Sequence, residues 1–500
     1  MKRKKLISTV AGVLVFLLFT GSLFAKGARE PVQSRAGMEQ ASSGKAKYVF
    51  FFVGDGLAMP QINAAEAYTH ALSSKDVNVK RLRFSQLPVT GLCTTHDAGS
   101  LITDSASAGT AFAAGQKTLN GVINMDVTKT KTFKTIAEYA KEQGKKVGVV
   151  SSVSLDHATP ASMYARVPSR GNYYDIAVQL TKSGFDYFGG GGFIQPTGKN
   201  KDKPSVYDLA KAEGYLIVDS IVAFQNLKPG VGKVIAIHPI LQDSAAMKYE
   251  IDRVEGELAL ADFVRKGIEL LQDGKEGFFL FVEGGKIDWA CHANDAGSAI
   301  KDTLAFDAAV AEALAFAEKY PNETLILVTG DHETGGMAIG FAGTQYSTFF
   351  EKIALQTMSY VAFNDRVVTP YKGSTPKDKA KLEDLAPAIK EAFGIDLGRL
   401  SQLQREQVER AFKRTMGNEV ERSIKEEEYL LYGGYEPLTV KLTQFLNQMA
   451  GIGWTSYSHT GVPVPVFAQG VSQNLFSGYY DNTDIFRKLA LVMGVQVASR

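Results

Sequence analysis

Cysteine is nearly missing from this chain: Cys93 and Cys291 are the only two in 500 residues. They allow one disulfide at most, so no cystine framework can replace a hydrophobic core. A bias of charge is missing too. Against 55 Lys and Arg stand 53 Asp and Glu, a net charge of +2. No basic stripe with interleaved aromatics occurs beyond the first residues, which argues against nucleic acid as a principal partner. No internal repeat of fixed period is present. Long apolar runs are absent except for one at the start. There "MKRKK" precedes "LISTVAGVLVFLLFTGSLFA" and a small residue, Ala25, followed by the polar stretch 26–46. That order predicts a cleaved signal peptide over residues 1–25 and an exported protein, periplasmic or extracellular. If uncleaved, the run is long enough to hold the chain to a membrane.

What remains is ordinary globular material, 45% hydrophobic and 22% charged. Five short runs rich in β-branched and aromatic residues read as strands: 48–54, 146–152, 277–282, 324–330 and 462–470. Their hydrophobicity is continuous rather than alternating, as in strands covered on both faces. Helical patterns lie between them, one ending at Gly144 and one stopped by Pro321. The expectation is an α/β fold with a large, mostly parallel central sheet flanked by helices on both faces. Residues 47–500 are read as a single catalytic domain. More polar stretches near 193–250 and 340–450 are read as insertions, the second rich in helix.

Chemistry-bearing residues gather where those strands end. "FFFVGDG" closes on Asp55, "FFLFVEGG" on Glu283 and "LILVTGDHETGG" on Asp331 and His332. Ligand sites of open α/β sheets lie beyond the carboxyl ends of the strands, so three such cassettes point to one edge. Asp288 and His292 stand four apart, on one face of a helical turn. His459 precedes the last strand, and His157 and Thr159 follow "VGVVSS". Only seven histidines are available, and these motifs use four. His70, His96 and His238 are read as structural. Asp with two His, or two Asp with one His, suits zinc in an open site, whereas Asp, Glu and Thr oxygens suit magnesium. In "TDSASAG", Ser105 opens a helix as a nucleophile would, yet no Gly-x-Ser-x-Gly elbow surrounds it and no base lies nearby in sequence.

Six segments in order, "DGLAMPQ", "TDSASAGTAFAAGQKTLNG", "DHATPASMYARVPSR", "VEGGKIDWACHAND", "VTGDHETGG" and "SHTGVPVPVFAQG", resemble the signature segments of the alkaline phosphatase family. The resemblance implies a metal-dependent phosphomonoesterase that works through a phosphoserine. It implies Asp288, His292 and His459 as ligands of one zinc and Asp55, Asp331 and His332 as ligands of a second. Asp55 would be shared with a magnesium site completed by Glu283 and Thr159. Ser105 would be the nucleophile, its alkoxide stabilised by zinc instead of by a histidine base. Arg170 would grip two phosphoryl oxygens, with Asp104 orienting it. Small phosphate monoesters are the implied substrates and a homodimer the implied assembly. Two positions depart from the best-known bacterial pattern: His157 stands where some members carry Asp, and Trp289 where Lys or His is common. Both are read as substrate-orienting, and His157 bears on the identity of the third metal. A related metal-dependent phosphodiesterase or sulfatase-like hydrolase, and a non-catalytic metal- or phosphate-binding exported protein, are the alternatives. Arg170 speaks against the first, because its fork needs the two free oxygens of a monoester.

Overall fold

The computed structural model describes residues 44–417 and 425–496. The expected signal segment lies outside the described residues, as does the polar linker apart from 44–46. Ten strands form the central sheet: β1 (Tyr48–Gly54), β2 (Val89–Thr94), β3 (Lys146–Ser151), β4 (Tyr187–Gly190), β5 (Tyr215–Val218), β6 (Lys233–Ile237), β7 (Phe278–Gly284), β8 (Thr324–Gly330), β9 (Val464–Gly470) and β10 (Gly478–Asp481). Across the sheet they run β10, β2, β9, β8, β1, β7, β3, β4, β6, β5. Only β9 runs against its neighbours, β2 and β8. Every other pairing is parallel.

The continuous apolar runs have a simple cause. Along β1, Tyr48, Phe50 and Phe52 enter one core while Val49, Phe51 and Val53 enter another on the opposite face. Strand β7 divides the same way, Phe278 and Leu280 against Phe279 and Phe281. With both faces covered, no position is left for a polar residue until the strand ends. The long helix Ala296–Lys319 supplies Phe306, Val310 and Phe316 to the first core. Helices Ser105–Ala114 and Thr483–Met493 supply Phe112, Ile485 and Leu489 to the second. Each fully buried large apolar side chain contributes about 1.5–3 kcal/mol relative to exposure. Cys93 and Cys291 are buried and unbonded, so burial and not cross-linking holds the fold.

The stretch 193–250 does not stand apart from the sheet. It contributes β5 and β6, which continue the sheet past β4 to its edge. The stretch 340–450 is helical, including Ala386–Phe393, Gln402–Thr415 and Pro437–Ala450. Leu438, Leu442, Phe445 and Leu446 of the last of these join the same core as the long helix Ala296–Lys319. Among the described residues no helix is long and apolar enough to cross a membrane.

Candidate active site

Register builds the site. Gly54 of β1 lies opposite both Gly284 of β7 and Gly330 of β8, and Val53 opposite Glu283. Ser151, the last residue of β3, also lies opposite Glu283. Four adjacent strands therefore end level, placing Asp55, Glu283, Asp331 and Ser151 together. Glycine is required at this edge because the chain turns tightly there. A Cβ on Gly330 would lie 1.8 Å from the Leu57 carbonyl oxygen. Gly56, at φ +72°, directs its amide to Asp331 Oδ1 at 3.1 Å.

Three groups of ligand-type side chains meet here: Asp288 with His292 and His459, Asp55 with Asp331 and His332, and Asp55 with Glu283 and His157. Asp288 and His292 share one face of the short helix Lys286–His292. A two-residue antiparallel pairing, His459 against Thr334, brings the distant C-terminal segment to the same place.

Proton positions follow from the partners. His292 Nδ1 lies 2.6 Å from the Tyr457 carbonyl and His459 Nδ1 lies 2.8 Å from the Thr103 carbonyl. A carbonyl only accepts, so both rings carry their proton on Nδ1 and a lone pair on Nε2. Thr334 Oγ1 donates to Asp288 Oδ1 at 2.5 Å and so accepts from His332 Nδ1 at 3.3 Å, which leaves His332 Nε2 with a lone pair as well. These lone pairs face each other and the carboxylates. His292 Nε2 and His459 Nε2 are 3.1 Å apart. Asp288 lies 3.3 Å from one and 3.4 Å from the other. His332 Nε2 is 3.4 Å from Asp55 Oδ1 and 3.3 Å from Asp331 Oδ2.

Acceptors gathered without protons repel one another unless a cation sits among them. The electrostatics agree. Burial, with Asp331 adding to it, holds the Asp55 carboxyl well above the usual range. Burial pushes Glu283 up to about 8, and burial with Asp288 nearby pushes Asp331 up to about 7. Burial keeps His332 well below the usual imidazole range, hence neutral and ligand-competent. Asp55 Oδ1, Asp331 Oδ2 and Glu283 Oε1 are buried with no hydrogen-bond partner. Such orphans are costly without a counter-ion. The donor set thus fits divalent cations.

Ser105 is the first residue of its helix, and Asp104 caps that helix by accepting from the Ser107 amide at 3.0 Å. Ser105 Oγ lies 3.3 Å from His332 Nε2, against the second group. Asp104 Oδ2 accepts from Arg170 Nη1 and from the Gly121 amide, both at 3.0 Å. Arg170 Nη2 donates to His157 Nε2 at 3.2 Å. Burial and the Arg170 guanidinium push His157 down to about 3, so its ring is neutral. With Nε2 accepting, the ring keeps its proton on Nδ1. Holding Arg170 and ligating an ion are therefore competing uses of this histidine. Thr159 Oγ1 donates to Asp55 Oδ2 at 3.3 Å. Trp289 packs edge-on against His157, ring centroids 5.5 Å apart.

All the residues named for the site in the sequence lie at this one edge, while His70, His96 and His238 have partners elsewhere, Asp76, Asp481 and the Ile240 carbonyl. Sequence reasoning missed several supports. Ser151 donates to Glu283, and Thr334 orders Asp288 and His332. Glu333 accepts from the Gly336 and Met337 amides, each at 3.0 Å, and from Thr460, fixing the turn that carries His332. The strand end "VSS" and the "DHET" motif contained that signal. No sequence signal marks Asp243, Tyr360 or Tyr435, which line the same cleft of about 430 Å³ as Ser105, Arg170 and His459.

A family model described as alkaline phosphatase matches residues 46–187 and 197–495. This chain belongs to the alkaline phosphatase family. "Alkaline phosphatase 3" of Bacillus subtilis (strain 168) is 30% identical over 494 residues, covering 97% of this chain and 95% of the relative. The crystal structure of Thermus thermophilus alkaline phosphatase superposes with a TM-score of 0.75 at 26% identity, covering 94% of this chain and 96% of that one. An alkaline phosphatase from the Antarctic bacterium TAB5, in a variant with Mg bound in the M3 site, superposes with a TM-score of 0.62 at 25% identity, covering 91% and 99%. As an alkaline phosphatase family member the protein is a phosphomonoesterase. Its fold presents the candidate metal groups at the sheet edge described above.

Proposed function

We propose that phosphate monoesters are hydrolysed in this cleft in two steps at Ser105. The observation that carries the reading is the set of metal-type acceptors around Ser105, three imidazole Nε2 atoms and the carboxyl groups of Asp55, Asp288 and Asp331, 3.1–3.4 Å apart. Asp288, His292 and His459 would hold one zinc, Asp55, Asp331 and His332 a second, and Asp55, Glu283 and Thr159 a magnesium. When bound, these ions supply the positive charge that makes a serine alkoxide accessible near neutral pH and stabilises the departing alcohol oxygen.

The residues themselves do the rest. Arg170, oriented by Asp104 and His157, offers its planar fork to two free phosphoryl oxygens. The helix Ser105–Ala114, with its Ser107 amide taken by Asp104, is left its Ser105 and Ala106 amides to offer the same group. Ser105 Oγ attacks phosphorus as the bond to the alcohol oxygen breaks, giving a phosphoserine. Water then attacks that phosphorus, the Ser105 oxygen leaves, and inorganic phosphate is released. Thr334 and the Tyr457 and Thr103 carbonyls keep the imidazole lone pairs turned inward throughout. The third site's three oxygen ligands suit magnesium as long as His157 is engaged with Arg170.

Export to the periplasm or outside the cell and assembly as a homodimer belong to the same proposal, resting on the N-terminal sequence and on the family respectively. Purified enzyme treated with phosphate monoester and quenched in acid should carry phosphate on Ser105. Ser105→Ala should keep its metals and lose that label. Full hydrolysis by Ser105→Ala would refute the covalent route.

A further inference from the structure

We infer that the far end of the cleft is a subsite for a neutral, ring-bearing, hydroxylated leaving alcohol, of the chemical class of a nucleoside. This inference rests on the phosphomonoesterase reading and adds what the alcohol is. Besides Ser105 and Arg170 the cleft is lined by Trp289, Tyr360, Tyr435 and Asp243. These residues come from separate segments, the helix Lys286–His292, the helical block and the turn Asp243–Ala245 after β6. Tyr360 and Tyr435 stand edge to face with centroids 5.7 Å apart. Three aromatic rings in one wall favour a flat ring, which gains from stacking on them.

The charge of the wall decides between ligand classes. Asp243 alone would favour a cationic alcohol, an aromatic cage closed by an acid. Its charge is already met. The fully buried Lys286 ammonium lies 2.6 Å from Asp243 Oδ1, and the same nitrogen sits 3.7 Å from the Tyr249 ring centroid and 4.8 Å from that of Trp289. A ligand cation would meet a fixed cation behind these rings. A ligand anion would meet Asp243. What the pair leaves is hydrogen-bonding capacity. Asp243 is 28% exposed, and among the described residues nothing donates to its Oδ2. No described residue bonds the Tyr435 hydroxyl, whereas that of Tyr360 accepts from the Tyr249 hydroxyl at 3.2 Å. A free carboxylate oxygen and a free phenol beside edge-to-face rings match a ring that carries hydroxyls, as ribose does.

The test uses the full, metal-loaded enzyme with adenosine 5′-monophosphate, glycerol phosphate and phosphocholine. The nucleotide should show kcat/KM about tenfold above either of the others. Tyr435→Leu and Asp243→Asn should each reduce the ratio of nucleotide to glycerol phosphate several-fold. Adenosine alone should quench the fluorescence of Trp289, one of two tryptophans, in a titration that needs no turnover. Trp289→Phe should abolish that quench. Equal kcat/KM for all three esters, a preference for phosphocholine, or no quench by adenosine would overturn the subsite. Failure to hydrolyse any of the three, with adenosine still quenching, would instead refute the phosphomonoesterase reading and leave the subsite standing.

Discussion

The two ends of the cleft are built on opposite principles. At the phosphoryl end, buried acceptors are crowded together, several without a hydrogen-bond partner. Burial pushes Glu283 up to about 8 with Asp331 adding to it, and burial pushes Asp331 up to about 7 with Asp288 adding to it. At the alcohol end the one buried charge, Lys286, has its counter-charge 2.6 Å away in Asp243, and the remaining wall is aromatic. One end is complete only with cations. The other is self-sufficient. A protein can keep an electrostatic deficit in its core when the surrounding elements over-determine it, and here four level strands and two fixed turns do so.

If that contrast is right, damage at the phosphoryl end should cost far more than damage at the other. Ser105→Ala should lower kcat by about a thousandfold or more. Arg170→Ala should lower kcat/KM by about 10–100-fold, the worth of one or two charge-assisted hydrogen bonds to the phosphoryl oxygens. Both are read from steady-state kinetics on proteins shown by circular dichroism to be folded.

Metal-free protein should reveal the deficit directly. Glu283 and Asp331 have folded pKa values above their unfolded ones, so the native state binds more protons than the unfolded chain between about pH 4 and pH 8. Stability that is present below pH 4 is lost as pH rises through that window. The Tm of chelated enzyme should therefore fall steadily from pH 5 to pH 8, and that of metal-loaded enzyme should not follow it. Parallel profiles would contradict the contrast. The smallest effect is expected at the border of the two ends. Trp289 lines the cleft with Arg170 and packs against His157, so Trp289→Lys should tighten inhibition by inorganic phosphate about fivefold. Unchanged inhibition would show that this position does not face the product.

The same contrast explains what the sequence revealed. Strands β1, β7 and β8 were legible because burial on both faces leaves unbroken apolar runs. Strand β2, "VTGLCT", has Thr90 and Leu92 exposed, and β4, β5 and β10 have four residues each, too few for a pattern to show. The polar character of 193–250 reflects its place toward the sheet edge, where β5 is covered less fully. The candidate ligands that converge were legible because most sit in a glycine-flanked or helical cassette at a strand end, with His459 just ahead of a strand, where local sequence sets geometry. Asp243, Tyr360 and Tyr435 were not, because only packing of the helical block against the sheet brings them to the cleft.

The most direct test of the central claim is metal content measured together with activity. Purified enzyme should contain three divalent ions per chain, lose activity when they are chelated, and recover it when zinc and magnesium are returned. Full hydrolysis of a phosphate monoester by protein shown to be free of metal would contradict the account.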